Sequence, residues 1–216
     1  MVFHPALSGS WRSRWVESVA NIADGANGHF GWSAGKYYGD WKKQMGLMTT
    51  EDRKYYSISA DMNKTISNEG KNLIISYTLK MEHDIGEGGA YLKLLPPGLD
   101  QEQFTSDDTY EIIFGANIVQ RLSALVRFNI RKGNEYWEMN DTVRCPLDEL
   151  THMYTLIVRP DCSYEIRLDG VHQTTGRFKD NFYFLGEQFV CYLVIIFCFT
   201  PFLPLSGRGS KCYQAS

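Results

Sequence analysis

Two segments of this 216-residue chain carry side chains suited to reversible binding. Lys80 to Leu95 reads KMEHDIGEGGAYLKLL, and Tyr110 to Asn117 reads YEIIFGAN. Together they read as β-strands joined through a glycine turn at Gly88-Gly89, where the backbone reaches φ values closed to other residues and lets a ligand approach. Tyr91 and Lys93 stand two apart, so on a strand they share one face. A tyrosine ring offers sugar C–H groups a flat apolar surface with a hydroxyl at its edge, and a lysine ammonium donates up to three hydrogen bonds. Tyr91, Lys93 and Tyr110 are thus placed to stack against a sugar and bond to it. The competing reading is that Tyr91 caps a core and Lys93 is solvated, because aromatic residues on strands usually pack.

One pattern argues for bond breaking. Gly31-Trp32-Ser33-Ala34-Gly35 matches G-x-S-x-G, the elbow of serine hydrolases, which needs a strand, a sharp turn and then a helix to lift the serine above a sheet. The following KYYGDW is aromatic and glycine-broken, not helical. His83, His152 and His172 lie in no βαβ alternation, so a serine hydrolase is the minor alternative and no enzyme is expected.

The elements that must position these residues are strands. Leu73 to Leu79, Ile112 to Phe114, Ala124 to Ile130, Tyr154 to Val158 and Tyr164 to Leu168 are short, rich in Ile, Val, Tyr and Phe, and bounded by Gly, Asn, Asp or Pro. Turn signals stand at Asn68-Glu69-Gly70, Pro96-Pro97-Gly98, Lys132-Gly133-Asn134, Pro160-Asp161 and Asp169-Gly170, spaced as an all-β sandwich requires. A hydrophobic fraction of 44% in 216 residues is enough for one sizeable core. A net charge of −3 with scattered lysines and arginines leaves no basic footprint, so nucleic acid is not an expected partner. Five cysteines show no CxxC pair and no zinc spacing, and an odd count leaves at least one thiol free. Asn63-Lys64-Thr65 and Asn140-Asp141-Thr142 are glycosylation triplets.

These strings, with SRWVES at 13–18, SAGKYYGD at 33–40, GLMTTEDRKYYSISA at 46–60, LDQ at 99–101 and THMYTLIVRPDCSY at 151–164, resemble the globular lectin domain of the calreticulin/calnexin family. RPDCSYEIRLD and the short spacing before YEIIFG favour the calreticulin branch. The resemblance covers residues 1–185 and implies a concanavalin A-like, legume-lectin-like antiparallel jelly-roll β-sandwich, incomplete at its C-terminus. It also implies a calcium-linked lectin chaperone of the endoplasmic reticulum lumen that binds monoglucosylated high-mannose glycans on unfolded glycoproteins. The glycan ligands carried over by the resemblance are Tyr91, Lys93, Tyr110, Ile113 and Asn117. Ile113 replaces the family's methionine and keeps an apolar contact. Asn117 replaces its aspartate, keeping a carbonyl acceptor without the charge, which weakens sugar binding by about tenfold. The family's calcium role falls on backbone carbonyls of Lys43 and Met45, since backbone ligation tolerates any side chain. His152, in the family's THLYTL-like string, is implied as a residue that orders the domain. No disulfide is expected, because the family's bridge positions are Glu87 and Val119, lost together.

The ends depart from the family. MVFHPALSGSWRSRW shows no signal-peptide pattern, and residues 186–216 form an apolar non-family tail. Its run from Phe189 to Leu205 has three readings: a membrane anchor, marginal in length and broken by two prolines; a strand pair replacing lost strands; or read-through of intronic or frame-shifted sequence, the reading expected. A membrane partner follows only from the first. The alternative to a lectin is a non-lectin β-domain that binds polypeptide or has no activity.

Overall fold

The structure, a computed structural model, describes residues 9–20, 27–62, 67–83, 87–105, 108–119, 123–182, 194–200 and 213–215. After a single 3-10 turn at Trp11–Ser13 come β1 (Val16–Glu17), β2 (Phe30–Ser33), β3 (Gly46–Thr49), β4 (Tyr56–Ala60), β5 (Leu73–Met81), β6 (Glu87–Leu95) and β7 (Ile112–Val119). They are followed by β8 (Ala124–Lys132), β9 (Glu135–Glu138), β10 (Thr151–Val158), β11 (Ser163–Leu168), β12 (Val171–Arg177), the four-residue α1 (Phe178–Asn181), β13 (Val194–Thr200) and β14 (Tyr213–Ala215). The strands form two seven-stranded antiparallel sheets, ordered β1-β4-β13-β6-β7-β8-β9 and β12-β11-β10-β5-β14-β3-β2. This is the all-β sandwich that the alternation implied, with the jelly-roll form that the resemblance implied.

Period-two patterning decides which side chains meet between the sheets. From the first sheet, Ala90, Leu92, Leu94, Ile112, Phe114, Ala116, Val126, Phe128 and Ile130 enter the core, and from the second Ile75, Tyr77, Leu79, Tyr154, Leu156, Val158, Tyr164 and Ile166 meet them. Tyr77 ties the layers together: its hydroxyl donates to Ala90 O at 2.8 Å and accepts from Ala116 N at 3.3 Å. Its ring stacks on Tyr154 at 5.4 Å. Phe128, Tyr164, Phe178 and Phe182 close one end, with Phe128 5.3 Å from Phe182 and Tyr164 5.9 Å from Phe178. Asp141 pins that end, because its carboxylate accepts from Tyr164 Oη at 2.7 Å, Thr174 Oγ1 at 2.9 Å and Asn181 Nδ2 at 2.7 Å.

The ladders correct one expectation and place part of the tail. Gly88 and Gly89 are no turn: they lie inside β6, paired with Ile118 and Asn117, and β5 and β6 belong to different sheets. Two stretches of the apolar tail are strands, Val194–Thr200 between β4 and β6 and Tyr213–Ala215 between β3 and β5. The β-rich composition of VIIFCFT suits such a position, where both edges are paired. Residues 189–193 and 201–205 of the tail, and the Asn63 triplet, lie outside the described residues. Among the described residues no helix is long and apolar enough to cross a membrane.

Candidate carbohydrate-binding face

The first sheet has a second face, turned away from the core. Because Leu92 and Phe114 point inward, their neighbours Tyr91, Lys93, Ile113 and Asn117 point outward. Register brings them side by side: Lys93 pairs with Ile113, Tyr91 with Gly115, and Gly89 with Asn117. On the far side of β7, Gly115 pairs with Arg127 and Ile113 with Asn129.

Glycine shapes this face at two points. A Cβ on Gly89 would strike the Tyr91 ring, so the missing side chain lets that ring lie back along its own strand. There the Tyr91 hydroxyl donates to Asn117 Oδ1. Gly115 has φ +152, a conformation closed to other residues, and a Cβ there would meet the Tyr77 hydroxyl and Ala90 O. On the outer face, the guanidinium carbon of Arg127 reaches 5.9 Å from the Tyr91 ring centroid.

Tyr110 comes from the segment before β7, which folds over this face. It packs with Leu95, Phe104 and Leu99 in a small apolar cluster separate from the core. The segment is anchored by Ser18, whose Oγ donates to Phe104 O, and by Val19 N, which donates to Glu102 O at 2.7 Å. The Lys93 ammonium stands 5.7 Å from the Phe104 ring and 5.5 Å from the Tyr110 ring. Burial pushes the Tyr110 hydroxyl above its ordinary pKa, against a hydrogen bond from Asn129 and the charge of Arg127. All five residues assigned by resemblance are thus gathered. They do not form an exposed surface, however: Tyr91, Lys93 and Ile113 are only 5%, 3% and 5% exposed. The carbonyl acceptor expected of Asn117 is already taken by Tyr91.

The same face holds residues that sequence reasoning missed. Arg127 is partly exposed and pairs with Glu138 at 3.6 Å. With its amide turned, the Asn129 oxygen accepts from Arg127 Nε and Nη2 at 3.2 Å each. Tyr136 stacks near Tyr110 with centroids 4.6 Å apart, Arg131 pairs with Glu111, and Gln101 Nε2 donates to Ser59 Oγ at 2.8 Å. The alternation in ALVRFNI marks Arg127 and Asn129 as sharing a face. Only the register tells which one.

The remaining expectations separate cleanly. Glu87 and Val119 are direct partners across β6 and β7. Cys145 is a buried thiol whose pKa burial pushes up to about 12 despite bonds from Tyr154 and Asn117, and Cys162 is a half-buried thiol. The Lys43–Met45 loop does not make a calcium shell from the described residues. Asp40 Oδ1 accepts from Lys42 N, its Oδ2 lies 3.6 Å from Lys43 Nζ, and Gln44 Oε1 accepts from Gly39 N at 2.6 Å. That leaves two candidate carbonyls where calcium takes six to eight oxygens. Among the described residues no group of three or more His, Cys, Asp or Glu side chains could hold a metal ion.

His152 is held by two carboxylates, Nδ1 to Asp169 Oδ2 at 2.6 Å and Nε2 to Asp148 Oδ1 at 2.8 Å. Burial opposes its protonation, but the bonds and charges of Asp169 and Asp148 outweigh it and raise its pKa. Asp169 Oδ1 also accepts from Met153 N, so this histidine fastens the loop before β10 to the β11–β12 turn. The G-x-S-x-G string is no elbow: β2 runs into bends and a turn, and the Ser33 hydroxyl accepts from Gly35 N at 3.0 Å. Beside it lies an ion pair the sequence did not announce. Lys80 Nζ meets Glu82 Oε1 at 2.7 Å, with side chains 5% and 4% exposed. Lys80 also donates to Ala34 O and Tyr37 O at 2.8 Å each, and Glu82 accepts from Lys36 N at 2.7 Å.

A two-sheet antiparallel jelly roll with a polar face of aromatic and donor residues defines the concanavalin-type sandwich class. Solved structures agree. The T. cruzi calreticulin globular domain superposes with a TM-score of 0.81 at 28% identity, over 94% of this chain and 82% of that one. The Emp47p carbohydrate recognition domain, at 8% identity and TM-score 0.54, shares the fold alone. Mus musculus calreticulin-3 is 42% identical over 170 residues, 77% of this chain and 43% of the relative. Homo sapiens calreticulin is 40% identical over 180 residues, 82% of this chain and 42% of the relative. The sequence model of the Calreticulin family matches residues 3–185, and the chain belongs to that family. It spans less than half the length of these curated relatives.

Proposed function

We propose that this chain carries a calreticulin-like lectin site for glucose-terminated high-mannose glycans on unfolded glycoproteins of the endoplasmic reticulum lumen, and that it binds rather than catalyses. The observation that supports this is the convergence of Tyr91, Lys93, Tyr110, Ile113 and Asn117 on one sheet face outside the core. In this reading Tyr110 and Tyr91 present ring surface to the sugar, and Lys93 donates to its hydroxyls. Because Lys93 is nearly closed beneath Phe104 and Tyr110, ligand entry requires that segment to shift outward. No step is routed through calcium.

Calorimetric titration of the purified chain with a glucose-capped trimannoside tests the reading. Asn117→Asp restores a charged acceptor and is expected to tighten binding by about tenfold, the difference between a neutral and a charge-assisted hydrogen bond. Absence of binding by both forms contradicts the proposal and favours a non-lectin β-domain.

A further inference from the structure

Two hydrogen-bond donors flank the Tyr91 ring on this face. Asn117 spends its carbonyl on the Tyr91 hydroxyl, which leaves its amide nitrogen as a donor. Arg127 has donors only, and so does Lys93. None of the five residues assigned to the glycan is acidic. Two carboxylates stand near: Glu111, engaged by Arg131, and Glu138, which sits 3.6 Å from Arg127 Nε with its side chain 62% exposed. An exposed pair of that kind is worth at most about 1 kcal/mol, so a better anion displaces it.

A neutral sugar hydroxyl both donates and accepts, and the Asn117 amide nitrogen and Arg127 engage only its accepting half. A carboxylate or phosphate ester accepts only, and the planar guanidinium fork matches its oxygens two at a time. Arg127 is held for that role. Its guanidinium carbon lies 5.9 Å from the Tyr91 ring centroid, the Asn129 oxygen accepts from its Nε and Nη2 once that amide is turned, and its side chain remains 33% exposed. Resting on the lectin reading above, we propose that Arg127, with Asn117 beside it, selects glycans bearing an oxyanion on the sugar that lies against Tyr91 and Tyr110. Arg127 is then the specificity-determining residue of the face.

The test titrates the whole chain with three trimannosides at 20 and 200 mM salt: one capped by glucose, one by glucuronic acid and one by glucose 6-phosphate. At low salt the anionic ligands are expected to bind about tenfold tighter than the neutral one, with the advantage shrinking at high salt as the charges are screened. Whichever anionic ligand binds tighter names the oxyanion. Arg127→Met, checked for an unchanged melting temperature, is expected to bring all three within about twofold of one another, and Glu138→Gln to tighten anionic binding by removing the internal competitor. Equal affinity of neutral and anionic ligands, or a preference that survives Arg127→Met, overturns the inference and leaves the lectin reading standing. Binding of none of the three overturns both.

Discussion

Among the described residues, two of the sandwich's polar regions are built oppositely. Toward one end of the second sheet, Lys80 pairs in register with Thr151, so the Lys80–Glu82 pair and the His152 clamp lie close along the strands but on opposite faces of the sheet. Every charge there meets an opposite charge or a backbone group. Glu82 shows the balance: burial alone would raise its carboxyl, yet the Lys80 bond and the Tyr37 and Lys36 amides hold it below the ordinary value. On the outer face of the first sheet, the Asn117 carbonyl is spent on Tyr91 and a partly exposed pair, Arg127–Glu138, can open. Complete satisfaction fastens loops to strands. A pair that can open is what a ligand can replace.

The comparison breaks most readily at its buried end. Glu82→Ala leaves the Lys80 ammonium uncompensated at 5% exposure and is expected to cost about 3–5 kcal/mol. Urea denaturation measures it, and glycan affinity of the folded fraction should stay within about twofold. A loss under about 1 kcal/mol would mean the pair is not the fastening it resembles.

The first sheet's outer face can be probed by a cross-link between β6 and β7. Glu87 and Val119 are direct antiparallel partners, whose Cα separation of about 4.5–5.5 Å falls within disulfide range. Glu87→Cys with Val119→Cys should oxidise under mild conditions and stabilise by about 2 kcal/mol, read as a higher melting temperature lost on reduction. Failure to oxidise would contradict the β6–β7 register on which the face depends.

A smaller effect distinguishes the clamp by its pH profile. The folded pKa of His152 lies above the ordinary 6.5, so its stabilising contribution is complete below 6.5 and fades as pH rises through the raised value. His152 bonding leads the depression of Asp148. At Asp169 burial works the other way and is outweighed by the His152 and Met153 bonds. Both carboxylates therefore contribute above 3.8 and lose their contribution as pH falls through the depressed values. The clamp is strongest between 3.8 and 6.5. His152→Gln is expected to cost about 1 kcal/mol at pH 6, since both partner carboxylates are largely exposed, and to flatten the decline of stability above pH 6.5.

How far the sequence foretold this differs between the two regions. Alternation and turn residues marked β5, β7, β8, β10 and β11 because strand period and Gly or Asp turns are local signals; Gly70, Gly98, Gly133, Gly170 and Asp169 all take the positive φ their turns need. The shared face of Tyr91 and Lys93 followed from parity alone. Their burial did not, because Phe104 and Tyr110 arrive from a segment whose path depends on Ser18 and Val19, more than eighty residues earlier. Arg127 stayed hidden because a face is legible along one strand, whereas its neighbours across the sheet depend on register. Lys80 and Glu82 read as an ordinary solvated strand end, and only the return of Ala34 to Tyr37 over them makes them a buried pair.

The central claim is that the outer face of β6, β7 and β8 is where a glycan binds. Amide chemical-shift mapping during titration with the glucose-capped trimannoside tests it most directly. The account predicts shifts concentrated at residues 89–93, 110–117 and 125–131, with none at 148–153 or 165–169. Shifts clustered around His152 instead, or no shifts at saturating glycan, would contradict it.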